Sequence, residues 1–161
     1  MIKRLIAIVT VIVLALALVG CQSAAPAQKK DPAEVVASIN KEFLEANTDN
    51  LPALMELDAE TLQGMYGIEP EWVTAFVCQF PMMNVHATEF FVAQVKDGNM
   101  DAVKAGIQNR LETLEQQWEH YLADQYELVK NAKVVTSGNY ILLCIGHEAA
   151  AAADAFTGAL A

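Results

Sequence analysis

Between Trp72 and Phe80 the chain reads Trp-Val-Thr-Ala-Phe-Val-Cys-Gln-Phe, and neither side of this stretch suits water. In an extended strand Trp72, Thr74, Phe76, Cys78 and Phe80 share one face, and Val73, Ala75 and Val77 share the other. A strand that is apolar on both sides belongs in a sheet with cover above and below it. Pro81 ends the run, because a proline has no N–H to give to a ladder.

The flanking sequence supplies the other elements. Asp31-Pro32 is a strong helix start, and Val35, Val36, Ile39, Phe43 and Leu44 follow on one face until about Ala46. Leu51-Pro52 opens a connection carrying Leu54, Met55 and Leu57. Asp58 then caps a short helical turn through Leu62 and Met65, with Gly67 as its stop. Thr88 to Val95 reads as a second strand, closed by the turn sequence Lys96-Asp97-Gly98-Asn99.

Val103, Ile107, Leu111, Leu114, Trp118 and Tyr121 form one apolar stripe on the longest helix, which Asn99 can cap. Lys133–Thr136 and Tyr140–Ile145, joined by Ser137-Gly138-Asn139, read as a hairpin. An alanine-rich helix from Glu148 to Leu160 closes the chain, with Phe156 and Leu160 inward. The order predicts an α+β fold: an antiparallel sheet of about four strands built from two strand-strand-helix units, preceded by an N-terminal helix. So few helices are expected to lie mainly on one face, with the segment Leu54–Met65 folding over the other.

The N-terminus is of another kind. Lys3 and Arg4 precede Leu5–Val19, fifteen residues without a charge, and the run ends in Leu18-Val19-Gly20-Cys21. This is the charged and apolar anatomy of a secretory signal, shorter than the roughly 20 residues of a membrane-spanning helix. The Leu-x-Gly-Cys pattern resembles the lipobox of bacterial lipoproteins. That resemblance implies cleavage before Cys21 and a diacylglyceryl group on its thiol, two chains being enough for stable membrane attachment. Residues 1–20 are therefore expected to be a signal peptide and 21–30 a lipidated cysteine with a flexible tether. Residues 31–161 are left as one domain on the extracytoplasmic face of the cell membrane.

Removing residues 1–20 takes two of the ten basic side chains and none of the 20 acidic ones, leaving a net charge of −12. An acidic domain is repelled by nucleic acid and by anionic lipid headgroups, so neither is expected as a partner surface. Cys78 and Cys144 both sit in apolar runs, where cysteine usually serves as a small buried hydrophobe.

Catalytic patterns are missing. No serine sits in a Gly-x-Ser-x-Gly turn, no glycine-rich loop precedes a helix, and neither Cys-x-x-Cys nor His-Glu-x-x-His occurs. His86 with Glu89, and His120 with Asp124, each offer half a zinc site at most. Glu112, Glu115 and Glu119 read as a solvated helix face. No enzyme activity, metal or cofactor is expected.

The loop between the first two strands reads Phe80-Pro81-Met82-Met83-Asn84-Val85-His86-Ala87-Thr88-Glu89. Together with Tyr66-Gly67-Ile68 before it and Lys96-Asp97-Gly98 after it, this resembles an uncharacterised lipoprotein family of clostridia-type Gram-positive bacteria, a domain of unknown function (four-three-five-eight). The resemblance covers about residues 34 to 160 and implies a lipid-anchored domain with no established activity and no site residues to transfer. From the residues themselves the loop has two readings. It is a recognition loop, with Met82 and Met83 as adaptable apolar contacts and Asn84, His86 and Glu89 as polar ones. Or it is a structural connection whose methionines fill the edge of the core. The function expected is a non-catalytic interaction module that engages another envelope protein, the alternative being a small-solute or cation-binding lipoprotein that uses the Met82–Glu89 loop.

Overall fold

The computed structural model describes residues 30–161. The expected signal peptide, Cys21 and the tether as far as residue 29 lie outside the described residues. Helix α1 (Pro32–Ala46) opens the fold with Pro32 at its first position, and the Asp31 carboxylate accepts from Ala33 N at 2.9 Å. A three-residue strand β1 (Leu54–Glu56) follows, then α2 (Ala59–Tyr66). Asp58 caps α2 by accepting from Thr61 N at 2.8 Å, and Gly67 ends it at φ +67°, a left-handed position that glycine adopts without strain.

After a 3-10 turn at Pro70–Trp72 come β2 (Val73–Pro81) and β3 (Glu89–Val95), then the long α3 (Met100–Trp118) and a short α4 (Ala123–Lys130). The hairpin β4 (Lys133–Ser137) and β5 (Tyr140–Ile145) turns at Gly138, where φ is +57°, and α5 (Ala149–Ala159) ends the chain. The five strands pair antiparallel throughout in the order β1-β2-β3-β5-β4. The fold is the expected α+β type, with an antiparallel sheet preceded by a helix. The fifth strand is β1, whose three residues are too few for an alternating pattern to stand out.

The central strand is β3, held by β2 on one side and β5 on the other. Alternation divides its side chains cleanly. Phe91, Ala93 and Val95 enter one core with Leu62 and Tyr66 of α2, Ile107 and Trp118 of α3 and Val129 of α4. Phe90 and Val92 enter a second core with Val36, Ile39 and Phe43 of α1 and Phe156 of α5. Helices therefore cover both faces of the sheet, not mainly one. The cover on the second face comes from the two ends of the chain. The Leu54–Met65 segment contributes an edge strand and a helix that lies beside α3.

Periodicity shows which side of a helix is buried but not which side of a sheet it meets, and here that missing information decided the layering. The stripe of α3 also stops sooner than expected, since the helix ends at Trp118 and Tyr121 is exposed. The two internal cysteines are buried and free, with Cys78 in the first core and Cys144 in the second, on opposite faces of the sheet. No helix among the described residues is long and apolar enough to cross a membrane.

Candidate functional site: the loop between β2 and β3 and its buried root

The loop leaves β2 at Pro81 and re-enters the sheet at Glu89. At its outer end Met82 is 64% exposed, Met83 54% and Val85 38%, with Asn84 exposed beside them. His86 is half-buried, and its backbone N–H closes a turn onto the Met83 carbonyl at 3.3 Å. Met82 N donates to the Ala53 carbonyl at 2.9 Å, which ties the loop to the approach of β1. Met55 of β1 stands opposite Phe80 and is itself exposed. Four exposed apolar side chains thus gather at one corner of the sheet.

Glu89 does not join the exposed residues of the loop. It is 2% exposed and points into the core, because its alternation matches Phe91 and Ala93. The Tyr66 hydroxyl donates to its Oε2 at 2.7 Å, Arg110 Nε donates to the same oxygen at 3.1 Å, and Arg110 Nη2 pairs with Oε1. Two guanidinium donors on two carboxylate oxygens make a bidentate pair, stronger and more directional than a single contact. The guanidinium also lies 5.7 Å from the centroid of the Tyr66 ring, within cation–π range. In one cluster the start of β3, the end of α2 and the middle of α3 are joined.

The other polar anchor of the loop is Gln125 of α4. Its side-chain oxygen accepts from Ala87 N at 2.8 Å, both groups being buried, and its Nε2 donates to Asp124 at 3.1 Å. The residues of α4 carry no pattern that marks a helix here. A buried glutamine on a short helix with a weak apolar stripe gives no periodic signal, and its role depends on a backbone amide 38 positions away.

The chemistry of the cluster is that of a closed structural site. Burial, reinforced by the nearby Glu89 charge, pushes the Cys78 thiol up to about 12, so at neutral pH it is a protonated thiol and a poor nucleophile. Its sulfur lies 3.6 Å from the Tyr66 oxygen. Burial also drives the Tyr66 hydroxyl well above its ordinary 10, with the Cys78 and Glu89 charges acting in the same direction. For Arg110, burial alone would lower the value, but the hydrogen bonds and charge of Glu89 outweigh it and hold the guanidinium above its ordinary range. Among the described residues no three His, Cys, Asp or Glu side chains come together to hold a metal ion. His120, which with Asp124 offers half a zinc site at most, stands exposed with its Nε2 3.7 Å from Glu119.

The family model described as "Domain of unknown function (DUF4358)" matches residues 46–146, well over half of the chain. The chain belongs to the DUF4358 family. No curated protein and no solved structure matches it. The DUF4358 match contains all five strands, α2, α3 and α4, hence the loop and every member of its buried root. Helix α5 and all of α1 but its last residue fall outside it, so the matched span holds the sheet and one helical layer.

Proposed function

We propose that this DUF4358 protein is a lipid-anchored, non-catalytic interaction module on the extracytoplasmic face of a bacterial cell membrane, which contacts another envelope protein through the tip of the β2–β3 loop. The observation that carries this reading is the contrast within the loop. Its tip presents Met82, Met83 and Val85 to solvent next to Met55, whereas its root is fixed by Glu89, Arg110 and Gln125. A single exposed apolar residue is ordinary, but a cluster on a loop held by a rigid sheet is the usual form of a contact surface. Methionine suits such a surface because its unbranched thioether adapts to the partner.

The alternative, a solute or cation held by the same loop, has less to use. Glu89 is committed to Arg110 and Tyr66, which leaves Asn84 and His86 as the polar side chains near the tip. The membrane part of the proposal rests on the Leu18-Val19-Gly20-Cys21 pattern. An acidic domain gains nothing from anionic headgroups, so a covalent anchor and a tether are what would keep it at the surface.

A photoreactive side chain placed at Met83 in the full-length protein, irradiated in native membranes, should give one discrete crosslinked product. The same group at Glu60, exposed on α2, should not. Substituting Met82 and His86 with alanine in the photoreactive protein should remove the product. No crosslink at position 83, or equal crosslinking from position 60, would refute the contact surface. Incorporation of labelled palmitate should be lost in Cys21→Ser, and retained labelling would refute the anchor.

A further inference from the structure

The second layer of the fold contains a slot that the loop reading does not use. Helices α1 and α5 lie on the same face of the sheet, but α5 presents Ala152 and Ala155 to the gap, and a methyl group cannot reach across to α1. The result is a cavity of about 270 Å³ that opens to solvent. Its floor is aromatic. Phe43 of α1 stacks on Phe90 of β3 with centroids 4.0 Å apart and planes within 12°, and Phe156 of α5 lines the same space.

The polar groups at the rim all favour one kind of ligand. Glu42 lines the slot with an exposed carboxylate that has no ion-pair partner among the described residues, and no basic residue lines the slot. Asn47 spends its Nδ2 on the Phe43 carbonyl at 2.7 Å, and its Oδ1 accepts no hydrogen bond among the described residues. Asn47 is also the C-cap of α1, so the slot meets the negative end of a helix dipole. A free carboxylate, a free amide oxygen and a helix C-terminus all call for a donor with positive charge. The whole chain, with 20 acidic and ten basic side chains, biases the field the same way.

We infer that the slot between α1 and α5 binds a small amphiphilic amine, its apolar body on the Phe43–Phe90 stack and its ammonium at Glu42 and Asn47 Oδ1. The size follows from volume. An apolar cavity of about 150 Å³ accepts benzene, so this slot has room for a ring carrying a short alkyl arm, roughly ten heavy atoms. It lies just below the usual range of small-molecule sites, about 300–1,000 Å³, which excludes large ligands. The site is separate from the β2–β3 loop, and either can fail without the other.

The test is a titration of full-length protein in detergent, reading the methyl resonances of Ala152 and Ala155 by NMR. The three probes are 2-phenylethylamine, 2-phenylethanol and 3-phenylpropionate, which share an apolar body and differ in charge. The amine should saturate both methyl signals at the lowest concentration, the alcohol at a higher one, and the carboxylate should not bind. Glu42→Gln should weaken the amine by about two- to fivefold, the range of an exposed ion pair, and leave the alcohol unchanged. Ala155→Leu, a surface position where a larger side chain fills the mouth without entering either core, should abolish binding with an unchanged melting temperature. Equal affinity for all three probes, amine binding that survives Ala155→Leu, or no saturable shift at all would overturn the inference.

Discussion

Tyr66 and Glu89, 23 positions apart in sequence, meet through a 2.7 Å hydrogen bond from the phenol to carboxylate Oε2, on the same carboxylate that Arg110 grips. Three helix and strand segments thus depend on one buried charge. Removing only the cation leaves that charge unpaired, and the cost of breaking a buried pair in this way is about 3–5 kcal/mol. Arg110→Met should lose that much in urea denaturation with an unchanged slope. Glu89→Leu combined with Arg110→Leu should lose less than Arg110→Met alone, because no charge is left stranded. Tyr66→Phe removes one donor and should cost about 1–3 kcal/mol. A loss of under about 1 kcal/mol for Arg110→Met would place the pair in the class of surface contacts.

The two internal thiols predict an alkaline loss of stability. Burial pushes both Cys78 and Cys144 up to about 12 from their ordinary value near 9. A group whose value is raised on folding stabilises fully below the unfolded value and loses that contribution as pH rises through the folded one. Between about pH 9 and 12 the unfolded chain releases protons that the folded chain retains, so stability must fall with pH. The urea midpoint should drop across this window, and Cys78→Ala with Cys144→Ala should make the drop shallower from a lower starting point. Tyr66, raised well above 10, retains part of the slope. At pH 8 a thiol reagent should modify neither cysteine faster than the protein unfolds. Rapid labelling of the native protein would contradict the burial of both.

What the sequence made legible follows from how local each signal is. Asp31-Pro32 and Asp58 with Gly67 act within four residues or along one short helix, so both starts and the stop stand in the sequence itself. The apolar runs of β2, β3 and β5 announced themselves, as did the hairpin at Gly138. The short α4 and the assignment of helices to faces are not legible, because Gln125 acts on Ala87, 38 positions away, and α1 and α5, at opposite ends of the chain, meet across one face of the sheet. Glu89 shows the same limit within the site. A carboxylate after a polar loop reads as exposed, and only its register against Phe91, with Arg110 one helix away, reveals that it is buried.

Two glycines in helices should respond to alanine with opposite signs. At Gly106 in α3 an added Cβ would lie 2.6 Å from Ile68 Cγ1 and 2.8 Å from the Tyr66 carbonyl oxygen, so the helix sits against the backbone that presents Tyr66 to Glu89. A backbone oxygen cannot move aside cheaply. Gly106→Ala gains helix propensity of about 1 kcal/mol, but overpacking at about 1–3 kcal/mol wins. Gly64 in α2 has nothing within 4 Å of its would-be Cβ, so Gly64→Ala should stabilise by up to about 1 kcal/mol. Thermal denaturation of the two variants checks both signs, and a stabilised Gly106→Ala would mean that α3 packs farther from Tyr66.

The exposed methionines should be separable from the others by oxidation. Met82, Met83 and Met55 are exposed, whereas Met65 and Met100 are half-buried against the first core. Dilute peroxide should therefore convert the first three to sulfoxide before the other two, read by mass spectrometry of peptides at successive times. A sulfoxide disrupts packing only where the thioether was packed. The melting temperature should accordingly hold steady through the first three conversions and fall during the last two. In the protein carrying the photoreactive group at position 83, the crosslink should disappear as Met82 and Met55 are oxidised, since the apolar surface around the group becomes polar while the fold remains intact. If stability fell together with the first conversions, Met82 and Met83 would be filling the edge of the core, and the loop would be a structural connection instead of a contact surface.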